Sequence, residues 1–388
     1  MELHDVAVIG AGLAGLWCAR ALARRGVDVL LVDARQDVCC NIRTTGIFVR
    51  RTRDDFELPR AVFGAGIRRV VLHSPRGRAV AFERDAPEFW IADMAALYQS
   101  LLADAIRAGA RWRPGFRFIG LRAGPDSSIV VLRRGGAADE RVRARLILGA
   151  DGARSRVAAE LGLDRNSDFL LGLEDVHSDV ALATPPVLHC VLSQMLAPGY
   201  IAWVAHAGIH AHVGVAGDAL RFQPRRSLER VTRIARTLLP SLKTQPDSDF
   251  ERRGGLIPCG GVLRRIGCDR GLLVGDAAGA VSPLTAGGLD GSIRLSEFAS
   301  RLIVERLAGV RGALSAYDGG RFQTRFIARR WMRGLLRMST DSLLELACTA
   351  LATPLARRFG EHVFFGRGSF PDVDVRIPRG APIHRLAR

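Results

Sequence analysis

Gly10-Ala11-Gly12-Leu13-Ala14-Gly15 stands between a continuous apolar run, Val6 to Ile9, and an alanine- and leucine-rich stretch, Leu13 to Arg25, that Gly26 stops. Strand, glycine turn and helix in that order point to a nucleotide-binding α/β unit. The first glycine permits the sharp turn, the second lets a pyrophosphate approach the backbone, and the third lets helix and strand pack closely. The helix N-terminus then offers free N–H groups and a positive dipole end to the phosphates. An apolar run without alternation fits a parallel strand covered on both faces. Val27 to Val32 reads as the next strand. Asp33 closes it, 18 residues past Gly15, where a carboxylate binds a ribose 2′-hydroxyl and argues against a 2′-phosphate.

The rest of the chain alternates between this pattern and a β-rich one. Residues 41–90 are irregular with β-like runs at 68–72 and 79–83, and Met94 to Ala108 has helical periodicity. Residues 129–148 read as a β-pair joined by Gly135-Gly136, followed by the strand Leu146 to Leu148. Strand-like runs follow at 187–192, 200–205 and 210–216, then a helix over 226–239 that Pro240 ends. The α/β pattern returns with a strand from Gly271 to Val274 and a helix from Gly288 to Ala308, and residues 312–366 are mostly helical. The fold class expected is α/β. A discontinuous Rossmann-type domain (1–60, 91–164 and 265–310) carries an inserted β-rich substrate domain (61–90 and 165–264). A helical C-terminal region and basic tail (311–388) complete the chain.

Two later segments specify the dinucleotide. Leu146 to Gly149 runs into Ala150-Asp151-Gly152, an Asp-Gly turn before a small-residue helix start. Gly271 to Val274 runs into Gly275-Asp276-Ala277-Ala278-Gly279, followed by Pro283 and by Gly287-Gly288. Together with the first motif these resemble the FAD-binding set of the p-hydroxybenzoate hydroxylase fold. The nearer resemblance is to the geranylgeranyl reductases. Ser282-Pro283-Leu284-Thr285-Ala286-Gly287-Gly288 is similar to their NPLTGGG signature, and Gly279 stands where the hydroxylases commonly carry His. Pro198-Gly199-Tyr200-Ile201-Ala202-Trp203-Val204 with Val213-Gly214-Val215 is similar to their PGYxWxFPK…NVGVG hairpin, and Gly254 to Pro258 to their GGLIP segment.

The resemblance implies non-covalent FAD, held by Gly10, Gly12, Leu13, Ala14, Gly15, Asp33, Ala34, Arg43, Thr45, Gly46, Asp151, Gly275, Asp276, Pro283, Gly287, Gly288 and Leu289. Asp33 would bind the adenosine ribose and Asp276 the ribityl chain, with a helix cap as the plainer role for Asp276. Gly287-Gly288 would present N–H groups to the flavin N1/O2 edge, and Asp151 either supports the cofactor or only forms a turn. The chain departs from the reductase pattern at Ala205-His206-Ala207, where Phe-Pro-Lys is usual. Thr45-Gly46 stands where many reductases have Cys-Gly, and Cys39 and Cys40 fall too early for that role. Met94 stands in place of a common arginine.

The implied activity is reduction of carbon–carbon double bonds in a lipophilic, prenyl- or polyene-type substrate, with NAD(P)H or a ferredoxin as electron donor. The alternatives are a monooxygenase acting on a small molecule through a flavin hydroperoxide, and a flavin-bound electron-transfer partner. A halogenase would need a catalytic lysine, and Lys243, the sole lysine, is far from every flavin motif. Tyr200 and Trp203 either line an apolar substrate tunnel or pack as core. His206, His210 and His212 share the hairpin as proton-donor candidates or as ordinary surface histidines, with His210 and His212 on one strand face.

The net charge of +17 is spread without a block of five or six like charges, so no specific nucleic acid is expected as partner. A solvated basic surface and attraction to anionic headgroups or phosphorylated substrates both remain open. No stretch approaches the ~20 apolar residues of a spanning helix, and the strand pattern begins too early for a signal sequence. The expected location is the cytoplasm, with peripheral contact at the inner membrane face through the tail from Arg376 to Arg388. The seven cysteines make no C-x-x-C pair, so no metal site is expected. Oligomeric state is not legible.

Overall fold

A computed structural model of the chain describes residues 1–181, 185–208, 210–244, 250–323 and 326–366. The basic tail from Arg376 to Arg388 lies outside the described residues.

Its first sheet is built on the strand Leu3–Ile9, which pairs in parallel with Val29–Asp33 on one side and with Glu140–Gly149 on the other. Gly271–Leu273 extends the parallel order beyond Glu140–Gly149, and Arg111–Pro114 beyond Val29–Asp33. Val6, Val8 and Leu31 are wholly buried, as strands covered on both faces must be. The β-pair and the strand expected over 129–148 prove to share one ten-residue strand. Its first half pairs antiparallel with Ser128–Arg133 and its second half joins the parallel core. Val142 to Leu148 keeps the apolar residues needed for both partners.

The helix Leu13–Ala23 is buried along its whole length. It lies between the helices Met94–Arg107 and Leu289–Leu307. Trp17 donates its indole N–H to Glu297 at 2.7 Å, tying the first motif's helix to the last. The Met94–Arg107 helix starts where Asp93 accepts the Ala96 N–H and stops at Gly109, whose φ of +105° suits glycine.

The second sheet has seven strands in the order Glu251–Pro258, Phe169–His177, Ala211–Asp218, Ile201–His206, Val187–Leu192, Arg69–His73, Ala79–Glu83. Its last two strands come from between the first and second flavin motifs, so the sheet is stitched from separate stretches of chain. One face is covered by the amphipathic helix Pro224–Leu238, whose Leu228, Val231 and Ala235 pack on Val204, Val213 and Val215. At the other face Leu170, Tyr200, Ala216 and Cys259 form a buried cluster, and Trp203, Ile257 and Ala286 of the third motif pack against it. Three further helices, Ile327–Met338, Asp341–Ala350 and Pro354–Phe365, end the described chain.

Candidate active site

The three motifs meet at the carboxyl ends of the parallel strands, the usual ligand crevice of open α/β sheets. Gly10 has φ +104°, and a Cβ on it would overlap the Ala150 carbonyl. Ala150 N–H bonds the Ile9 carbonyl at 2.8 Å, and Val274 N–H bonds Gly149 O at 2.9 Å. Gly275, at φ +58°, approaches the first helix so closely that a Cβ would lie 2.8 Å from the Ala14 Cβ. A Cβ on Gly12, in contrast, would meet nothing within 4 Å. Gly12 caps the Leu13–Ala23 helix with no side-chain partner, and no acid sits in that helix's first turn. The positive end of the helix faces open space beside a glycine, which is the cradle a pyrophosphate needs.

Asp33 and Asp276 stand in contrasting surroundings. Asp33 accepts the Ala11 N–H at 2.6 Å and the Arg35 N–H at 2.8 Å, and the Arg35 guanidinium bonds both its oxygens at 3.0 Å. Burial alone would raise its pKa, but Arg35 and the two N–H donors hold it below the usual carboxylate range. Arg35 also donates to the Ala11 carbonyl at 2.9 Å, fixing the turn and the acid together. Asp276 lies deep at the start of the Gly275–Ala278 turn, where desolvation pushes its pKa up to about 6. It is nevertheless not closed off at its surface. A carboxylate so placed gains from neutral hydroxyl donors such as a ribityl chain offers. Its Oδ1 would be 3.7 Å from a Cβ on Gly288, so the acid and the Gly287-Gly288 backbone flank one space. Pro283 and Leu289 bracket that space in sequence, and Ala34 follows Asp33.

Asp151 is engaged locally. Its carboxylate accepts the Ser155 hydroxyl at 2.6 Å and the Arg156 and Val157 N–H groups, starting the helix Arg156–Glu160. Asn166, which the sequence did not single out, donates to the Ala153 and Asp276 carbonyls at 3.0 and 2.8 Å. It joins the second motif to the third. Gly279 beside it has φ +69°, and a Cβ there would overlap Gly261 O and press on the Asn166 side chain.

The seven-stranded sheet brings Tyr200 into the buried cluster against which Trp203 and Ala286 of the third motif pack, while Arg43 lies on Gly255. Tyr200 is buried, which raises its phenol pKa, so it stays neutral. Thr45 donates its hydroxyl to Glu174 at 2.6 Å, and Trp203 donates its indole N–H to the same Oε1 at 2.9 Å. Gly46 has φ +81° and packs on Ala92 and Met94. The surface position expected for the histidines is corrected for His206 and His212, which are 2% and 4% exposed. The strand Ala211–Asp218 is buried at all eight positions between two neighbouring strands and a covering helix. His206 Nε2 lies 2.8 Å from the Val180 carbonyl, and His210 precedes the strand rather than sharing a strand face with His212.

The sequence matches the FAD binding domain family over residues 4–321. A digeranylgeranylglycerophospholipid reductase of Methanocaldococcus jannaschii is 26% identical over 313 residues, 78% of each chain. A geranylgeranyl bacteriochlorophyll reductase-like structure from Thermoplasma acidophilum superposes with a TM-score of 0.79 at 19% identity, covering 95% of this chain and 98% of that one. A p-nitrophenol 4-monooxygenase from Pseudomonas putida superposes at 0.68 with 18% identity, covering 94% of each.

Proposed function

The chain belongs to the FAD binding domain family and is an FAD-dependent oxidoreductase, and from that premise we propose that it reduces carbon–carbon double bonds of a prenyl-type lipid. The cofactor, when bound, supplies the hydride from its reduced N5. The uncapped helix behind Gly12 holds the pyrophosphate, Asp33 with Arg35 the ribose, and Asp276 the ribityl hydroxyls. Gly287-Gly288 offers N–H groups to the ring edge, where negative charge gathers on reduction. Tyr200, Trp203, Ile257 and Ala286 present a dry apolar surface that holds the alkene and excludes water.

The observation that carries this reading is the buried cluster of Leu170, Tyr200, Ala216 and Cys259, against which both Trp203 of the seven-stranded sheet and Ala286 of the third flavin motif pack. An apolar wall built onto the flavin loop suits an unactivated alkene. The relatives named as lipid reductases add to it. The test is anaerobic turnover of a geranylgeranyl-chain phospholipid by the dithionite-reduced holoenzyme. Saturated product without oxygen is expected. Turnover only after oxygen is admitted would replace this reading with a monooxygenase. The electron donor in the cell, NAD(P)H or a ferredoxin, follows from which of them reduces the bound flavin.

A lipid substrate also calls for a route from a membrane, and the helix Ile327–Met338 supplies a docking face. Soluble helices turn their apolar stripe inward; this one does the reverse. Arg333 is buried and pairs with Asp168, and Arg329 donates to Ser282 at 2.9 Å. Ile327, Trp331, Leu335 and Met338 are 51–75% exposed. Among the described residues no helix is long and apolar enough to cross a membrane. The face and the charge of +17 fit peripheral contact with anionic lipid. Trp331→Glu is expected to weaken flotation with anionic vesicles; unchanged flotation would remove the role of this face.

A further inference from the structure

We propose that Glu174 and His212 form the proton-holding pair of this site, supplying the proton that must join the hydride when a double bond is reduced. The proposal deepens the reductase reading and rests on it.

The pair is assembled across three strands. Glu174 stands opposite Gly214, and Gly214 stands opposite Trp203. Because Gly214 has no side chain, the Trp203 indole lies over it; a Cβ there would overlap the ring. The indole N–H thus reaches Glu174. His212 is two residues before Gly214 and shares its face. Its Nδ1 lies 3.5 Å from Glu174 Oε2, and both side chains are about 95% buried, at 5% and 6% exposure. His212 Nδ1 makes no hydrogen bond in this arrangement. It sits where a small movement would close one onto Oε2.

Two neutral donors and an imidazole thus converge on one carboxylate. Burial would raise the Glu174 pKa, but His212, Thr45 and Trp203 hold it below the usual range. An ionised carboxylate in a dry place needs a proton-bearing partner beside it. The other charged or titratable groups facing the pair are Arg253, across the ladder from Glu174, Arg43 on Gly255, and His206 and His210 beside His212. Arg253 is paired with Glu251 at 2.6 Å. Through Thr45 the pair touches the loop that the family resemblance sets beside the flavin, and through Trp203 it touches the apolar wall. No other carboxylate described above joins those two elements.

The step balances. One alkene carbon receives the hydride from reduced flavin, and the other takes a proton as the π bond breaks. His212 gives up that proton and returns to neutral imidazole, and water restores it. No further oxidant or reductant enters.

The test compares two reactions of the reduced holoenzyme. Reduction of a geranylgeranyl-chain phospholipid needs a proton delivered to carbon; oxidation by ferricyanide does not. Glu174→Gln and His212→Asn are expected to slow the first by about 100-fold or more while changing the second by less than about twofold, with bound FAD retained. Imidazole NMR at fixed pH supplies a readout apart from activity: the His212 ring signals should move in Glu174→Gln, because the ring stands 3.5 Å from that carboxylate. Equal slowing of both reactions, or variants that keep the wild-type reduction rate and pH profile, would overturn the role. Unmoved His212 ring signals would likewise overturn the pairing of the two groups. If the wild type retains FAD yet reduces no alkene without oxygen, the reductase reading itself fails, and this role fails with it.

Discussion

The parallel sheet places its ligand-facing groups at strand ends, on backbone turns. The seven-stranded sheet places its own in mid-strand, on side chains that meet across the ladder. The first arrangement depends on glycines that no other residue can replace: Gly10 and Gly275 combine positive φ with contact against neighbouring backbone or Cβ atoms. The second depends on register, since a one-residue slip would turn Glu174, His212 and Trp203 to the opposite face. On the proposed function, cofactor binding and substrate chemistry therefore rest on different kinds of structural precision. They should fail separately.

The largest effect is expected for Gly10→Ala. The new Cβ meets the Ala150 carbonyl and the backbone is held at φ +104°, so strain and overlap together should cost about 3 kcal/mol or more. The checks are loss of bound flavin colour and a lowered Tm; a variant that keeps FAD would break the claim that the motifs converge through this glycine. Gly214→Ala should be milder. Displacing the Trp203 indole should cost about 1–3 kcal/mol yet leave FAD bound, while alkene reduction is lost. Equal loss of flavin would show that the two regions are not separable.

The smallest effect concerns pH. In the folded apoprotein the Asp276 pKa lies at about 6, above its ordinary value of 3.8. Between those values the folded state binds more protons than the unfolded one, so the contribution of this group to stability falls as pH rises through that window. Thermal melts of apoprotein should show this slope, and Asp276→Asn should flatten it. A slope unchanged in the variant would mean that Asp276 is not the group responsible.

Much of the parallel domain was legible because its requirements are local. A positive-φ turn selects glycine, and an apolar run marks a covered strand, so Gly10, Gly15 and Asp33 could be read in order along the chain. Asn166 and Glu174 could not. Asn166 acts through a carbonyl 110 residues away, and Glu174 acquires its partners only when three strands fall into register. Asp151 illustrates an ambiguity of type: the same carboxylate suits a cofactor or a helix start, and here it accepts the first two N–H groups of Arg156–Glu160 beside the Ser155 cap. The periodicity of Ile327–Met338 marks an amphipathic helix, yet period alone cannot tell which stripe faces solvent. The burial of His206 and His212 is hidden for a similar reason, because polarity is legible in the sequence and strand coverage is not.

The Gly275–Gly288 segment completes the nucleotide crevice only after the whole seven-stranded sheet has been threaded. During synthesis, which runs from the N-terminus, every strand of that sheet therefore leaves the ribosome before Gly275 can settle against Ala14 and Asp276 beside Gly288. Flavin retention should therefore report that the first and third motifs have come together: a chain ending before Gly275 lacks the wall that packs against Ala14.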